Sequence, residues 1–98
     1  MNQKELSVKI AQILKNIANP IRLQALCCLL DGKKNVSQLL EKIDISQSAL
    51  SQHLILLKDK DILKDEKIGK FIYYSITDEQ TVEILSFLKH ICKKKIDN

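Results

Sequence analysis

The sequence predicts one small, mainly helical (α+β) domain in which four helices precede a β-hairpin and a fifth helix, an order written ααααββα. Three observations lead to this prediction. Apolar residues recur at helical spacing over most of the 98 residues. Turn-forming residues interrupt that spacing at Asn19-Pro20, at Asp31-Gly32 and again before Ser46. Residues of alternating character around Gly69 indicate two short strands before the last helix.

The first two helices are predicted from their apolar positions and from the residues between them. The first helix, from Gln3 to Ala18, carries an apolar stripe made of Leu6, Ile10, Ile13, Leu14 and Ile17. Asn19 then suits an N-cap and Pro20 the first position of a second helix, which runs to Leu30 before Asp31-Gly32. This second helix is apolar nearly all round, so we expect it at the centre of the domain.

A pair of short helices follows. Asn35 and Gln38 have the spacing of a capping box, which predicts a third helix from this point to about Ile43. Asp44-Ile45-Ser46 turns the chain into a fourth helix. Two short helices joined by a tight turn form a helix-turn-helix, here residues 35–58.

The hairpin and the last helix complete the domain. Ile62 to Lys67 and Lys70 to Ile76 flank Ile68-Gly69, and we call residues 62–76 the wing. Within its second strand Phe71, Tyr73 and Ser75 alternate against Ile72, Tyr74 and Ile76. A capping box over Thr77-Asp78-Glu79-Gln80 begins a last helix that continues to about Lys95. The single domain, residues 1–98, is therefore a winged helix-turn-helix.

The fourth helix has the composition of a DNA recognition helix. Residues 46–57 carry no charge, although 29% of the chain is charged. At about 100° per residue, its polar face consists of Gln47, Ser48, Ser51, Gln52, Ile55 and Lys58, and its packing face of Ala49, Leu50, Leu54, Leu56 and Leu57. Amides and hydroxyls without a carboxylate suit base edges and phosphate oxygens. An ordinary surface helix usually carries Lys and Glu instead, so the pattern favours recognition of DNA.

Nine residues are candidates for DNA binding. The helix supplies Ser46, Gln47, Ser48, Ser51, Gln52 and Lys58, and the wing supplies Lys64, Lys67 and Lys70. The wing lysines could follow a neighbouring phosphate track, because a two-stranded ribbon lies beside a helix-turn-helix. Asp65 and Glu66 share that ribbon, so a merely solvated hairpin remains the alternative. His53 falls on the packing side and is expected in a hydrogen-bonded structural role, and Arg22 could reach a phosphate or an internal carboxylate.

The last helix is apolar over more than half of its surface, wider than packing on one core requires. The positions concerned are Val82, Ile84, Leu85, Phe87, Leu88, Ile91, Cys92 and Ile96. We therefore expect a homodimer through the first and last helices, residues 1–18 and 78–96. Two recognition helices related by its axis could enter successive major grooves about 34 Å apart, which predicts a palindromic duplex operator.

Composition limits the other classes of function. A net charge of +4 and a pI near 9.0 permit nucleic-acid binding without showing it. No apolar run approaches the roughly 20 residues that span a bilayer, and the early residues are polar, so we expect a cytoplasmic protein without a membrane partner. The sequence lacks a Gly-rich phosphate loop and paired catalytic carboxylates, which argues against an enzyme and a cofactor. A thiol enzyme and a winged helix that binds only protein remain the alternatives.

Three segments together resemble the ArsR/SmtB family of dimeric winged-helix repressors. They are Asn19-Pro20-Ile21-Arg22-Leu23, Ser46-Gln47-Ser48-Ala49-Leu50-Ser51-Gln52-His53-Leu54 and Tyr73-Tyr74. The resemblance covers nearly the whole chain. It implies a repressor that binds an operator in the free state and is released when an inducer acts on the dimer.

The resemblance also bears on the inducer. The metal-sensing branch with a Cys-x-Cys motif has no counterpart at residues 36–39, and His90 lacks a partner at zinc-ligand spacing. Cys27 and Cys92 match the two cysteines of the sulfide- and redox-responsive branch, which implies a dithiol switch answering to reactive sulfur species or an oxidant through a persulfide, disulfide or polysulfide bridge. Without the resemblance, a buried cysteine is more often a small hydrophobe. A three-thiolate arsenite site with Cys28 is the runner-up.

The residues themselves allow such a switch. Cys92 lies on the apolar face of the last helix and Cys27 on the second helix, so the two could meet if those helices pack together. Lys93, Lys94 and Lys95 favour a thiolate at Cys92, whereas burial and the negative end of the helix dipole oppose it.

Overall fold

The computed structural model describes residues 1–97, with side chains through residue 93. Its elements are, in chain order, α1 (Gln3–Ile17), α2 (Pro20–Leu29), β1 (Lys34–Asn35), α3 (Val36–Leu40), α4 (Gln47–Asp59), β2 (Leu63–Ile68), β3 (Phe71–Ile76) and α5 (Glu79–Asp97). The predicted winged helix-turn-helix is confirmed, with one short strand that the sequence pattern did not indicate.

Local capping explains where α2 and α3 begin. The Asn19 side chain accepts hydrogen bonds from the backbone N–H groups of Ile21 and Arg22, and Pro20 occupies the first turn of α2. The predicted capping box of α3 is present, since the Asn35 and Gln38 side chains each accept from the other residue's backbone N–H at 2.9 Å. Because these contacts join residues two or three positions apart, sequence alone is enough to place them.

Two helix boundaries differ from the prediction. The third helix ends at Leu40 rather than near Ile43, because the carbonyl of Leu39 accepts from the backbone N–H groups of both Lys42 and Ile43 in a tight turn. The cap of α5 is Asp78, whose carboxylate accepts from the backbone N–H and the hydroxyl of Thr81. Thr77, the predicted cap, instead donates its hydroxyl to the carbonyls of Asp61 and Ile62.

The sheet has three antiparallel strands in the order β1-β3-β2. The wing pairs Ile68 with Phe71, so its turn consists of Gly69 and Lys70 and lies one residue later than expected. Gly69 has φ +63°, a conformation that favours glycine. On the other side of β3, the strand β1 aligns Lys34 with Tyr74 and Asn35 with Tyr73. This pairing ties the start of the helix-turn-helix to the wing.

The core lies between α2, α4 and the sheet. Its buried apolar side chains are Ile17, Ala25, Leu26, Leu29, Leu39, Ile43, Leu50, Leu54, Leu57, Ile62, Leu63 and Leu85. Half of them come from α2 and α4, which agrees with the central position that the apolar pattern of α2 predicts. Leu56, which was expected on the packing face of α4, is 36% exposed.

The terminal helices are different, because most of their apolar side chains are in contact with solvent. Leu6, Val8, Ile10 and Leu14 of α1 are exposed, and only Ile17 is buried. On α5, Phe87 is 64% exposed and Leu88 and Ile91 are also exposed, and we call these three residues the α5 apolar face. The side chains of Lys94, Lys95 and Ile96, which the sequence prediction included, lie outside the described residues. Along the part of the chain that the structure describes, no helix is both long and apolar enough to cross a membrane.

Candidate nucleic-acid interface and thiol sites

The helix α4 presents the face predicted to recognise DNA. Ser46 caps it, because its hydroxyl accepts from the backbone N–H of Ala49 at 3.2 Å. Leu50, Leu54 and Leu57 are fully buried and anchor the opposite side. Solvent is therefore in contact with the polar positions: Gln47, Ser48, Gln52 and Ile55 are exposed and Ser51 is half-buried. The first turn of α4 carries no acidic residue that would repel a phosphate.

Lys58, another predicted DNA contact, is engaged with the wing. Its Nζ lies 2.9 Å from Oδ2 of Asp65, and this hydrogen bond raises the pKa of Lys58. Asp65 stands opposite Tyr74 in the sheet. Burial raises the pKa of Tyr74, and the charge of Asp65 raises it further. The ion pair connects the last turn of α4 to the wing across seven residues of chain.

The wing brings a lysine to the start of α4. A cleft of about 230 Å³ opens between the two, and its lining includes Ser37, Gln47, Lys70 and Phe71. Lys70 is the only charged residue of that lining. Lys64 and Lys67 are also exposed on the wing, while Glu66 lies 3.5 Å from Lys33 in an ion pair. The Gln47 amide, which could reach a base edge, and the Lys70 ammonium, which could reach a phosphate, therefore line the same cleft.

The three cysteines are unbridged and have different surroundings. Cys27 and Cys28 are half-buried on α2, where Cys28 packs against the core, whereas Cys92 is exposed on α5. Burial raises the pKa of Cys27, the nearby Lys89 ammonium acts in the opposite direction, and Cys28 raises it slightly. Lys89 belongs to α5, so α5 passes close to Cys27.

The sequence is similar to a known family of regulatory proteins. The model of the family described as "Bacterial regulatory protein, arsR family" matches residues 19–65. The transcriptional activator HlyU of Vibrio cholerae is 34% identical over 94 residues, covering 93% of this chain and 87% of that protein. This chain belongs to the ArsR family.

Solved structures of ArsR-family relatives have the same fold. Reduced HlyU from Vibrio cholerae superposes with a TM-score of 0.85 at 33% identity, covering 90% of this chain and 93% of the other. The repressor BigR from Xylella fastidiosa gives a TM-score of 0.83 at 29% identity, with coverages of 93% and 96%. The family match runs from the cap of α2 to the first strand of the wing, and it includes all of the predicted helix-turn-helix. These relatives are named as transcriptional regulators.

Two further sequence predictions concern single residues of this ArsR-family chain. Nη1 of Arg22 donates to the carbonyl of Asn16 at 2.9 Å, so Arg22 holds the end of α1 and pairs with no carboxylate among the described residues. Its Nε is buried and has no hydrogen-bond partner among the side chains and backbone that the structure describes. His53 is half-buried, as its position on the wheel indicated, but its ring forms no hydrogen bond within the described residues. The expected hydrogen-bonded role of His53 is therefore wrong in this structure.

The structure argues against the alternative of a three-thiolate arsenite site. Among the side chains described, no group of three or more Cys, His, Asp or Glu could hold a metal ion, so Cys27, Cys28 and Cys92 do not converge in this conformation. Sequence analysis missed the proximity of Lys89 to Cys27. Its only signal was weak, since Lys89 precedes Cys92 by three residues and hence lies on a neighbouring part of the helix surface. The position of Lys89 relative to Cys27 depends on how α5 packs beside α2.

Proposed function

We propose that this protein is a homodimeric transcriptional repressor that binds a palindromic duplex operator and is released by thiol chemistry at Cys27 and Cys92. The observation that carries the DNA-binding part is the exposed, uncharged polar face of α4, held in place by three fully buried leucines. A regulator of this kind works where the chromosome is, in the cytoplasm of a bacterium.

Binding would divide the work between two sets of side chains. Gln47, Ser48, Ser51 and Gln52 project from the half of α4 that begins at its N-terminus, which is the part of a recognition helix that contacts base edges. Ser46, at the cap, would approach a phosphate. Lys64, Lys67 and Lys70 would follow the adjoining backbone, and Lys58 could exchange Asp65 for a phosphate.

Dimerisation is supported by the apolar residues that a single chain leaves exposed. Four residues of α1 and the α5 apolar face together present seven large apolar side chains to water. Burial of apolar area contributes about 25 cal/mol per Å², so covering these helices with a second copy would contribute several kcal/mol. A two-fold axis through α1 and α5 would place two copies of α4 on one side of the dimer, as a palindromic operator requires.

The proposed switch joins α2 to α5 covalently. One cysteine thiolate attacks the outer sulfur of a low-molecular-weight persulfide, and the corresponding thiol leaves after taking up a proton. The second cysteine thiolate then attacks the protein-bound sulfur atom of the new persulfide, and hydrosulfide leaves. Two thiols are oxidised to a disulfide while the persulfide is reduced to a thiol and hydrogen sulfide. The bridge would tie α5 to the central helix and alter the spacing of the two recognition helices.

The DNA-binding part is tested by fluorescence anisotropy on a palindromic duplex selected from a random library. Affinity should fall with salt, and Gln47→Ala should weaken binding to the selected duplex about tenfold while leaving binding to random duplex unchanged. Gln24→Ala removes an exposed amide from α2 and serves as the matched control. Equal behaviour of the two variants on the selected duplex would overturn this part of the proposal.

The switch is tested by intact mass spectrometry and operator binding after treatment with a low-molecular-weight persulfide. We expect a Cys27–Cys92 crosslink and loss of operator affinity in the wild type and in the Cys28→Ser control. Cys92→Ser should stay bound to the operator. Normal release of the Cys92→Ser variant would end the proposal of a dithiol switch.

A further inference from the structure

A shallow groove lies beside Cys27, between the end of α2 and one side of α5. It has a volume of about 370 Å³ and is lined by Leu30, Asp31, Ser86, Lys89, His90 and Lys93, and we call it the cationic groove. Two lysines and a histidine face a single carboxylate there. Its size is within the range of small-molecule sites, about 300–1,000 Å³.

Three observations connect the groove to the thiol. Leu30 and Asp31 lie in the turn that follows α2, three and four residues after Cys27, and the backbone N–H of Leu30 donates to the carbonyl of Cys27 at 3.3 Å. Lys89 lines the groove, and its positive charge is close enough to Cys27 to oppose the rise in the Cys27 pKa that burial causes. Cys27 is half-buried and therefore accessible to a small reagent.

The groove also stays open in the proposed dimer. Its α5 residues recur at positions 86, 89, 90 and 93, whereas the α5 apolar face is formed by positions 87, 88 and 91. At about 100° per residue these two sets point to nearly opposite sides of the helix. A second copy that covers the apolar face would leave the groove in contact with solvent.

We propose that the cationic groove binds the anionic part of a low-molecular-weight persulfide and presents its outer sulfur to Cys27. This inference rests on the proposed switch and adds the negative charge that its persulfide substrate carries and the cysteine that attacks first. A donor with carboxylates would be held by Lys89 and Lys93 while the Cys27 thiolate attacks the outer sulfur, and the donor leaves as a thiol after protonation. Cys92 then displaces hydrosulfide. Neutral donors lack the group that the two lysines recognise, so the groove selects against them.

A matched pair of alkylating reagents separates docking from thiol activation. Iodoacetate and iodoacetamide both react with the thiolate, so the ratio of their rates at Cys27 does not depend on how much thiolate is present. Site-resolved peptide mass spectrometry measures that ratio in the dimeric protein without DNA. We expect Lys89→Gln and Lys93→Gln to lower the iodoacetate-to-iodoacetamide ratio severalfold. Lys42→Gln, which removes the same charge from an exposed side chain between α3 and α4, should leave the ratio unchanged.

A competition experiment supplies the second measurement. S-methylglutathione carries two carboxylates and no reactive sulfur, so it should protect Cys27 from iodoacetamide, and its diester, which has no carboxylate, should not. Protection should be lost in the Lys89→Gln, Lys93→Gln double variant. Equal loss of both alkylation rates in Lys89→Gln, or equal protection by the acid and the diester, would overturn the groove as a binding site.

Failure of the groove can be told apart from failure of the switch. If the groove is wrong and the switch is right, persulfide still releases the protein from the operator. The alkylation ratio at Cys27 is then the same in the wild type, Lys89→Gln and Lys93→Gln. If the switch is wrong and the groove is right, the ratio and the protection behave as expected, but Cys92→Ser is released from the operator like the wild type.

Discussion

The DNA-binding region, from α2 to β3, and the terminal helices differ in how much of their apolar surface a single chain buries. From α2 to β3, ten apolar side chains are buried within one chain, and α4 has three fully buried leucines under its polar face. The apolar side chains of this region that stay exposed lie on α4 and the wing: Ile55, Leu56, Ile68, Phe71 and Ile72. The helix α1 and the outer side of α5 leave their large apolar side chains exposed. The first region therefore has a hydrophobic core within a single chain, whereas the terminal helices have an apolar surface that a second copy could cover. Variants in the two regions should fail in different ways.

The largest effect is expected from a charge placed on the α5 apolar face. Leu88→Asp removes an apolar side chain worth about 2 kcal/mol on burial, and a two-fold interface counts the change twice, so the dimer should dissociate about a thousandfold more readily. Sedimentation at several concentrations measures this effect. Operator affinity should fall with it, while circular dichroism keeps its helical content. A variant that stays dimeric would remove the distinction between the two regions.

A matched pair of leucine truncations sharpens the same comparison. Leu54→Ala should lower the free energy of unfolding by about 3 kcal/mol, because a fully buried leucine leaves a cavity. The exposed Leu14 should behave otherwise. Leu14→Ala should destabilise the protein only at concentrations at which the dimer forms. Urea denaturation across a hundredfold range of protein concentration checks both variants, and a loss from Leu14→Ala that is the same at every concentration would contradict the assignment.

A smaller effect concerns the ion pair between α4 and the wing. If Lys58 leaves Asp65 for a phosphate, Asp65→Asn should tighten operator binding a few-fold, because it frees a cation and removes a negative charge. Lys58→Met should weaken binding and lower the salt dependence by about one counterion. Titrations at several salt concentrations measure both variants. Weaker binding of Asp65→Asn with an unchanged salt slope would indicate that the pair instead holds the wing in position.

The smallest effect is the response of stability to alkaline pH. Burial and Asp65 raise the pKa of Tyr74 in the folded protein, so the folded state holds this proton more tightly than the unfolded state does. The contribution to stability is complete below the unfolded pKa, about 10, and is lost as pH rises through the folded pKa. Tyr74→Phe keeps the ring and should flatten this part of the alkaline decline. If the free energies of unfolding of wild type and variant fall by the same amount from pH 8 to about pH 11, the assignment is contradicted.

Several features of this protein could be predicted because they depend on neighbours in the chain. The caps at Asn19 and Asn35 join residues two or three positions apart, and the polar face of α4 follows from helical spacing alone. The exposed apolar side chains of α5 were also foreseeable, since their arc was wider than one core could cover. In each case the helix period turns the order of residues into a position on a surface.

Other features depended on elements that approach from distant parts of the chain. Two residues of β1 carry no periodic signal, and they form a strand only because β3 supplies a partner. The pairing of Lys58 with Asp65 and the position of Lys89 beside Cys27 arise where helices meet the wing or each other. The order of residues thus determined which side of each helix is polar, apolar or capped. The tertiary structure decided which charged side chains meet, because the angle at which two elements pack is set by all the contacts of the core together.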